Sequence, residues 1–221
     1  MNSAELLTGF ERCGRIPWWG KDWKPGKLKA AEFVAAGVRA GLTESVRQDY
    51  GELAGEISAL AAAGIRPGLA AVLVGDNPAS KVYVKSKIAA CEKLGLVSIQ
   101  VTPPATISTA ELLAIVEDLN RREDVDGILV QLPLPPQVDA KRILDAVDPA
   151  KDVDGFHPIN VGHLVAGRPT LAACTPSGVM EIFRRSAIPL GGANAVVLGR
   201  SDIVGKPMAL LLMHANATVT I

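Results

Sequence analysis

The feature that most constrains this chain is an alternation of short apolar runs with segments of helical periodicity from residue 51 onwards. LAAVLVG, VSIQVTP and GILVQLPLP are apolar or β-branched runs ending near glycine or proline, as is typical of strands in a parallel sheet. Between them, SKVYVKSKIAACEKLG and STAELLAIVEDLNR have helical length, and Ser108 with Glu111 matches a capping box. The alternation predicts an α/β fold with helices on the sheet faces and ligands at the carboxyl ends of the strands.

A second group of elements follows DPAKDVDGFHPINVGHLVAGRPTLAACTP, which is rich in turn residues and is predicted to form functional loops. Pro176 then opens a helix, NAVVLGR reads as a strand, and a helix from about Val204 to His214 leads to ATVTI. A doubly wound domain needs strands on both sides of its first strand, so a pattern that stops at Ile221 predicts an incomplete Rossmann-type domain. The predicted regions are 1–50, an atypical N-terminal segment; 51–175, an α/β lobe; and 176–221, a partial dinucleotide-binding domain.

Charge and cysteine content argue against several functional classes. Among 221 residues there are 23 Lys plus Arg and 23 Asp plus Glu, so no basic surplus exists to bind nucleic acid or an anionic membrane. The apolar runs are interrupted before the roughly 20 residues that a membrane span needs, and the N-terminus lacks the pattern of a secretory signal. Cys13, Cys91 and Cys174 are far apart, which argues against a disulfide framework and a zinc site. We expect a cytoplasmic protein without a metal.

The N-terminal region is the least interpretable part of the sequence. All three tryptophans, Trp18, Trp19 and Trp23, lie within WWGKDW. This cluster is interpreted as a local hydrophobic plug or a poorly ordered extension in preference to a partner-binding patch.

Tyr83 and Lys87 are the first candidates for chemistry. They are four residues apart in YVKSK and therefore share one face of the predicted helix. A lysine beside a phenol in a partly desolvated cleft has its ammonium form disfavoured, which moves its pKa from about 10.4 toward the range useful for proton transfer. The alternative interpretation is a surface lysine beside a packed tyrosine.

Gln131 and a pair of acids are further candidates. Gln131 ends a buried strand, where its amide can bond to loop backbone or point into the cleft beside Lys87. In KDVDGFHP, Asp152 and Asp154 lie on a loop for which the structural interpretation is an Asx-turn closed by Gly155. No histidine cluster or third acid follows at ligand spacing, which disfavours a metal site.

VVLGRSDIVGKP predicts a strand-to-helix turn through Gly199 and Gly205. Ser201 can cap the helix, and Arg200 lies beside the positive helix end where a phosphate would bind. A tight turn uses glycine for steric reasons as well, so this segment alone is a weak dinucleotide signal.

Five motifs occur together in the order YVKSK, DGILVQLPLP, KDVDGFHPINVG, CTPSG and GRSDIVGKPM. In this order they closely resemble the family of bifunctional methylenetetrahydrofolate dehydrogenase/methenyltetrahydrofolate cyclohydrolase, from about Ile57 to Ile221. The resemblance implies a folate-binding catalytic domain followed by an NADP-binding domain. It also implies oxidation of 5,10-methylenetetrahydrofolate by NADP, hydrolysis of the methenyl product to 10-formyltetrahydrofolate, and a homodimer at full length.

The resemblance also implies roles for individual residues. Lys87 would transfer the proton in the cyclohydrolase step, Tyr83 would orient or stack on the folate, and Gln131 would tune Lys87. Asp154 would hydrogen-bond the pterin, and Ser80 lies at a family position near the same cleft. The residues implied to contact NADP are Gly199, Arg200 and Ser201.

Two departures from the family leave alternatives open. The family's opening strand with its DGK-like turn is not recognisable in the first fifty residues, and the motifs end before a PGGVGP-type loop and a returning helix. We therefore expect residues 1–221 alone to lack NADP binding and dehydrogenase activity. A non-catalytic folate-binding or interaction module is one alternative. A shikimate-type NADP-linked dehydrogenase is another, and the intact KDVDGF and VQLPL strings argue against it.

Overall fold

A computed structural model describes residues 54–221, apart from the side chains of Tyr83 and Ser86. Region 1–50, including Cys13 and the predicted tryptophan cluster, lies outside the described residues. The first elements in chain order are α1 (54–62), β1 (Gly68–Val72), α2 (Pro78–Leu94), β2 (Val97–Val101), α3 (Thr109–Arg121) and β3 (Gly127–Val130). The remaining ones are α4 (Ala140–Ala146), α5 (Pro158–Val165), α6 (Cys174–Arg185), β4 (Asn194–Val196), α7 (Gly205–His214) and β5 (Thr218–Thr220).

The predicted parallel arrangement is confirmed. Strand β1 lies between β2 and β3 in the order β2-β1-β3, and both pairings are parallel. Strands β4 and β5 form a separate parallel pair. Every connection between paired strands contains at least one helix, as parallel pairing requires, and the connection from β1 to β3 also passes through β2.

The main core lies on one face of the three-stranded sheet. Alternate residues of and after β1, Ala70, Val72 and Val74, are at most 5% exposed on this face. They belong to one buried cluster with Leu112 and Val116, which face the sheet because they are four residues apart on α3. Fully burying a side chain of this kind contributes roughly 1.5–3 kcal/mol, so α3 is held mainly by packing.

Local signals set the ends of α2 and α3. Asn77 Oδ1 accepts a hydrogen bond from the Ser80 backbone N–H at 3.1 Å, and α2 ends at Gly95, whose φ is 82°. The predicted capping box of α3 is confirmed, because Glu111 N–H donates to Ser108 Oγ and Ser108 N–H donates to Glu111 Oε2.

Two predicted boundaries are wrong. The segment assigned to loops contains α5, whose eight residues are too few to show helical periodicity; Pro158 opens it, and His157 Nδ1 accepts from the Ile159 N–H at 3.1 Å. Helix α6 begins at Cys174 instead of Pro176. A proline is tolerated within the first turn because backbone N–H groups there have no intrahelical acceptor. None of the helices described between residues 54 and 221 combines the length and hydropathy needed to span a bilayer.

Candidate active site

Lys87 lies halfway along α2, beside the amino-terminal parts of the strands. Helix α2 starts near the carboxyl end of β1 and runs back along the sheet, so its rise of 1.5 Å per residue carries Lys87 about 14 Å toward the other end. A five-residue strand spans about 17 Å. The expectation of a site at the carboxyl ends of the strands is therefore wrong for Lys87. The helix returns this side chain to the opposite end of the sheet.

A cavity of about 410 Å³ contains Lys87 and Asp154 in its wall. The floor comes from the sheet face that carries Leu69 and Leu129, and Cys174 at the start of α6 lies on another side. The other lining residues are Gly68, Leu96, Asp126, Gly127 and Val153. The cavity thus joins a mostly apolar surface with one ammonium group and a pair of carboxyl groups, a combination typical of small-molecule sites.

Asp154 has an unusual electrostatic setting for an acid. Burial raises the pKa of its carboxyl group, and the nearby Asp152 carboxylate raises it further, while the positive charge of Lys87 lowers it. Burial is the largest of these effects, so the carboxyl binds a proton more readily than in water. A carboxyl of this kind, facing an ammonium group, can accept or donate a hydrogen bond to a ligand.

Lys151 holds the loop that carries Asp154 against the end of α3. Its Nζ donates to the backbone oxygens of Asn120 at 2.8 Å and Arg122 at 2.7 Å, at the end of α3. A cation there meets free carbonyl groups and the negative end of the helix dipole. The backbone oxygen of Lys151 accepts from the Ile128 N–H at 2.7 Å, which fixes the loop beside β3.

The predicted turn closed by Gly155 is present, since the Gly155 N–H donates to the Asp152 backbone oxygen at 3.2 Å, but the buried Asp152 side chain does not form an Asx-turn. Its Oδ2 accepts from the backbone N–H of His157 at 2.8 Å and from Asn160 Nδ2 at 2.9 Å. An Asx-turn would instead bond to an N–H two residues ahead. The carboxylate reaches further because its donors are the backbone N–H of His157, the residue just before α5, and the side-chain amide of Asn160 within α5.

Gly155 closes the loop against the segment that leads into α6. Its φ is +67°, and a Cβ built on it would lie 2.6 Å from the carbonyl carbon of Ala172 and 2.7 Å from the nitrogen of Ala173. No side chain fits at that separation, so this turn needs glycine for both its conformation and its packing.

Cys174 contacts the same loop. Its Sγ donates to the backbone oxygen of Val153 at 3.0 Å. Burial, followed by the Asp154 carboxylate, raises the pKa of the Cys174 thiol, and burial also raises that of Cys91. Both cysteines are free thiols. Cys174 therefore acts here as a hydrogen-bond donor.

The other predicted folate residues have different positions. Gln131 is half-buried, does not line the Lys87 cavity, and donates from Nε2 to the Leu132 backbone oxygen at 2.8 Å. Ser80 is buried in the first turn of α2. Tyr83 lies on α2 one turn before Lys87, and its side chain is outside the described part of the structure.

The predicted phosphate turn between β4 and α7 is built mainly from backbone. Gly199 is exposed with φ +140°, and a Cβ built on it would have nothing within 4 Å, whereas a Cβ on Gly205 would lie 2.1 Å from the Gly199 oxygen. Ser201 Oγ accepts from the N–H groups of Val204 and Gly205, both at 3.2 Å. Arg200 is exposed beside this turn. A glycine turn leading into a helix N-terminus fits a dinucleotide phosphate.

Lys151, Asn160 and Cys174 are the residues of this site that the sequence patterns did not single out. Their only local signal was the density of polar and turn residues in a segment without periodicity. Within residues 54–221, no three His, Cys, Asp or Glu side chains form a group able to hold a metal ion.

Comparison with known families and relatives agrees with this geometry. The profile of the tetrahydrofolate dehydrogenase/cyclohydrolase catalytic domain matches residues 40–154, and that of the NAD(P)-binding domain of the same family matches residues 173–221. The chain is 67% identical over 171 residues to "Bifunctional protein FolD" of Solibacter usitatus, covering 77% of this chain and 56% of that protein. It is 57% identical over 180 residues to the protein of that name from Burkholderia mallei, covering 81% and 62%.

Solved structures show the same architecture. The bifunctional enzyme FolD, a methylenetetrahydrofolate dehydrogenase/cyclohydrolase from Campylobacter jejuni, aligns with a TM-score of 0.78 and 47% identity over 79% of this chain and 62% of that one. The Trypanosoma brucei enzyme complexed with NADP cofactor and inhibitor aligns with a TM-score of 0.77 and 38% identity, over 80% and 61%. The chain thus spans about 56–62% of the length of these relatives. With both profiles matched in order on a parallel α/β fold, the chain belongs to the tetrahydrofolate dehydrogenase/cyclohydrolase family.

Proposed function

We propose that this chain supplies the folate-binding catalytic lobe (51–175) and part of the NADP-binding domain (176–221) of a bifunctional enzyme of one-carbon metabolism. The enzyme oxidises 5,10-methylenetetrahydrofolate to 5,10-methenyltetrahydrofolate with NADP and hydrolyses the product to 10-formyltetrahydrofolate. The observation that carries the proposal is the shared cavity of Lys87 and Asp154 in a chain of this family. The cavity volume is in the range of small-molecule sites.

Lys87 is the proposed proton-transfer residue of the hydrolysis. Addition of water to the methenyl carbon releases a proton, and a basic side chain that removes it lowers the barrier. In its neutral form the Lys87 side chain would accept that proton and become an ammonium ion, and its position in the wall of the cavity places it beside a bound substrate. Tyr83, one helical turn earlier, is proposed to orient or stack on the folate.

Asp154 is the proposed pterin ligand. Pterin rings present N–H donors along one edge, and a carboxylate receives such donors in charge-assisted hydrogen bonds. Burial raises the pKa of this carboxyl group, and N–H donors from a bound pterin would favour its ionised form. Gln131 is proposed to adjust the proton affinity of Lys87. Ser80 is proposed to contribute to the same substrate cleft.

The turn at Gly199, Arg200 and Ser201 is proposed to contact the phosphates and ribose of NADP. The N–H groups at the start of α7 and the exposed Arg200 guanidinium supply positive charge for a phosphate, and the absence of a side chain on Gly199 allows close approach. When bound, NADP supplies the hydride acceptor for the oxidation.

The proposal extends to the setting of the enzyme. We infer a homodimer in the cytoplasm that acts on tetrahydrofolate derivatives and has neither nucleic acid nor membrane as a partner. The equal numbers of acidic and basic residues support the last point, since binding to polyanions needs a basic surplus.

The test is the Lys87→Met variant of the native protein, with Lys85→Met as the matched control. Both lysines lie on α2, but Lys85 is exposed and does not line the cavity. Loss of a positioned base lowers a rate by about 10²- to 10⁴-fold, so we expect that loss of methenyltetrahydrofolate hydrolysis for Lys87→Met alone. Hydrolysis is followed by the absorbance of the methenyl form. Equal rates for the two variants would contradict the role of Lys87, and native protein without folate turnover would contradict the function itself.

A further inference from the structure

A buried polar cluster lies behind the loop that carries Asp154. It consists of Asp152, Asn160 and Thr170, and is called the Asn160 cluster below. Asn160 is 2% exposed and Asp152 5% exposed. Asn160 Nδ2 donates to Asp152 Oδ2 and to the Pro149 backbone oxygen, both at 2.9 Å, and Asn160 Oδ1 accepts from Thr170 Oγ1 at 3.0 Å. The amide therefore uses both of its donors and its acceptor within the protein.

The Asn160 cluster joins three stretches of chain around Asp154. Pro149 and Asp152 precede Asp154 on the loop, Asn160 belongs to α5, and Thr170 lies in the segment that leads into α6. Because Asp152 also accepts from the backbone N–H of His157, both ends of the loop are held by buried side chains. The loop between them has little freedom to change its path.

This restraint matters because Asp154 has a reason to leave the cavity. Burying a carboxylate is costly, and an unrestrained loop would turn this side chain toward water. The two acids of the loop therefore differ: Asp152 is paired with buried N–H donors, while Asp154 remains in the cavity wall near Lys87. Hydrogen bonds made by the first acid hold the second in place.

We propose that Asn160 is a positioning residue for Asp154, and that the buried hydrogen bonds of the Asn160 cluster hold the Asp154 carboxyl in the folate cavity opposite Lys87. The inference deepens the proposed function and rests on it, because it takes the folate as the ligand of Asp154. A merely structural role for Asn160 would affect stability alone.

The first experiment compares Thr170→Val with Thr170→Ser in the native protein. Thr170 is exposed, so valine keeps the shape and removes only the hydroxyl that donates to Asn160. Loss of one such bond corresponds to a rise of about 2- to 10-fold in KM for 5,10-methenyltetrahydrofolate, with kcat nearly unchanged. Serine restores the donor and should return KM to within about twofold of the native value.

Thr109→Val is the matched control. Thr109 is a half-buried threonine whose hydroxyl accepts from the Asp139 backbone N–H at 3.0 Å, and it lies away from the cavity. We expect the two valine variants to lower Tm similarly and only Thr170→Val to raise KM. Equal KM values for the two valine variants would overturn the proposal.

A measurement without folate separates this inference from the proposed function. Hydrogen exchange at the His157 amide reports the bond to Asp152 directly. It should be faster in Thr170→Val, and faster still in Asn160→Ala, than in the native protein or Thr109→Val. Unchanged exchange in Thr170→Val would overturn the positioning role, even if Asn160→Ala fails to fold. Faster exchange in native-like protein that turns over no folate would support the restraint and overturn the folate assignment.

Discussion

Residues 54–173 and the region from α6 onwards follow the same rules of parallel strands and connecting helices, yet they build their candidate sites differently. Around Asp154, the chain is held by side chains that bond to distant backbone, as Lys151 and Asn160 do. At the phosphate turn, the close contact is between the backbones of Gly199 and Gly205. The first site therefore depends on side-chain chemistry, and the second on the absence of side chains.

The two regions also differ in how deeply their apolar side chains are buried. Val72, Leu112 and Ile143 of the first region are fully buried, whereas Val196 and Leu198 of the second are each more than half exposed. A substitution near the first site therefore disturbs a close-packed interior, and a substitution near the second site disturbs exposed side chains. The two regions should consequently respond to equivalent substitutions in different ways.

The largest difference is expected from a pair of glycines that both have positive φ. Gly155→Ala places a Cβ within 2.7 Å of backbone, whereas Gly192, with φ +76°, has nothing within 4 Å of an added Cβ. We expect Gly155→Ala to lower the free energy of unfolding by about 2–4 kcal/mol and Gly192→Ala by about 1 kcal/mol. Urea unfolding of both variants measures this. Equal losses of stability would mean that the loop closed by Gly155 shifts freely to accept the methyl group. The first region would then be packed no more tightly than the second.

Asp154→Asn should produce a smaller change that affects binding. Losing a charge-assisted hydrogen bond of roughly 1.5–3 kcal/mol would lower folate affinity by about 10- to 100-fold. Because the folded-state pKa of Asp154 is raised, its ionised form opposes folding above that pKa, so Tm near neutral pH should stay equal or rise slightly. Calorimetry with the folate and thermal unfolding test both points.

Asp202→Asn is the counterpart in the second region. Asp202 is exposed and its pKa is lowered by a bond to Lys206, so it lacks the burial that distinguishes Asp154. Its replacement should leave folate affinity unchanged. If Asp154→Asn instead lost stability and kept its folate affinity, Asp154 would be only a turn residue. The two acids would then no longer distinguish the two regions.

The smallest expected effect concerns three neighbouring charged residues of α6. Bonds from Arg184 and Arg185 lower the pKa of Glu181 to about 2. The stabilisation is present above the unfolded-state pKa of about 4.3 and is lost as pH falls through the folded-state value near 2. Solvent screening keeps it small. Glu181→Gln should therefore flatten the stability profile slightly between pH 5 and 2, as measured by urea unfolding across that window; an unchanged profile would mean that these contacts do not contribute.

Elements with strong local signals could be predicted from sequence, and short elements held by distant contacts could not. The capping box of Ser108 and Glu111, in a segment of helical length, identified α3 correctly. Helix α5 was missed because eight residues show no clear period and its first turn is stabilised by Asp152 from the preceding loop. The pairing of Lys87 with Asp154 in one cavity depends on how α2 crosses the sheet, which spacing along the chain does not contain.

The sequence by itself determined the parallel α/β class, the family and the identity of the candidate residues, since these depend on periodicity, glycine and proline positions, and the order of motifs. Only the tertiary structure decided the different functions of two acids that are two residues apart in KDVDG. Asp152 is buried and accepts hydrogen bonds from the His157 backbone N–H and the Asn160 side-chain amide, whereas Asp154 faces a cavity whose walls come from β1, α2, β3 and α6. Solvation and partners set the chemistry of a carboxylate, and both depend on residues that are distant in the chain.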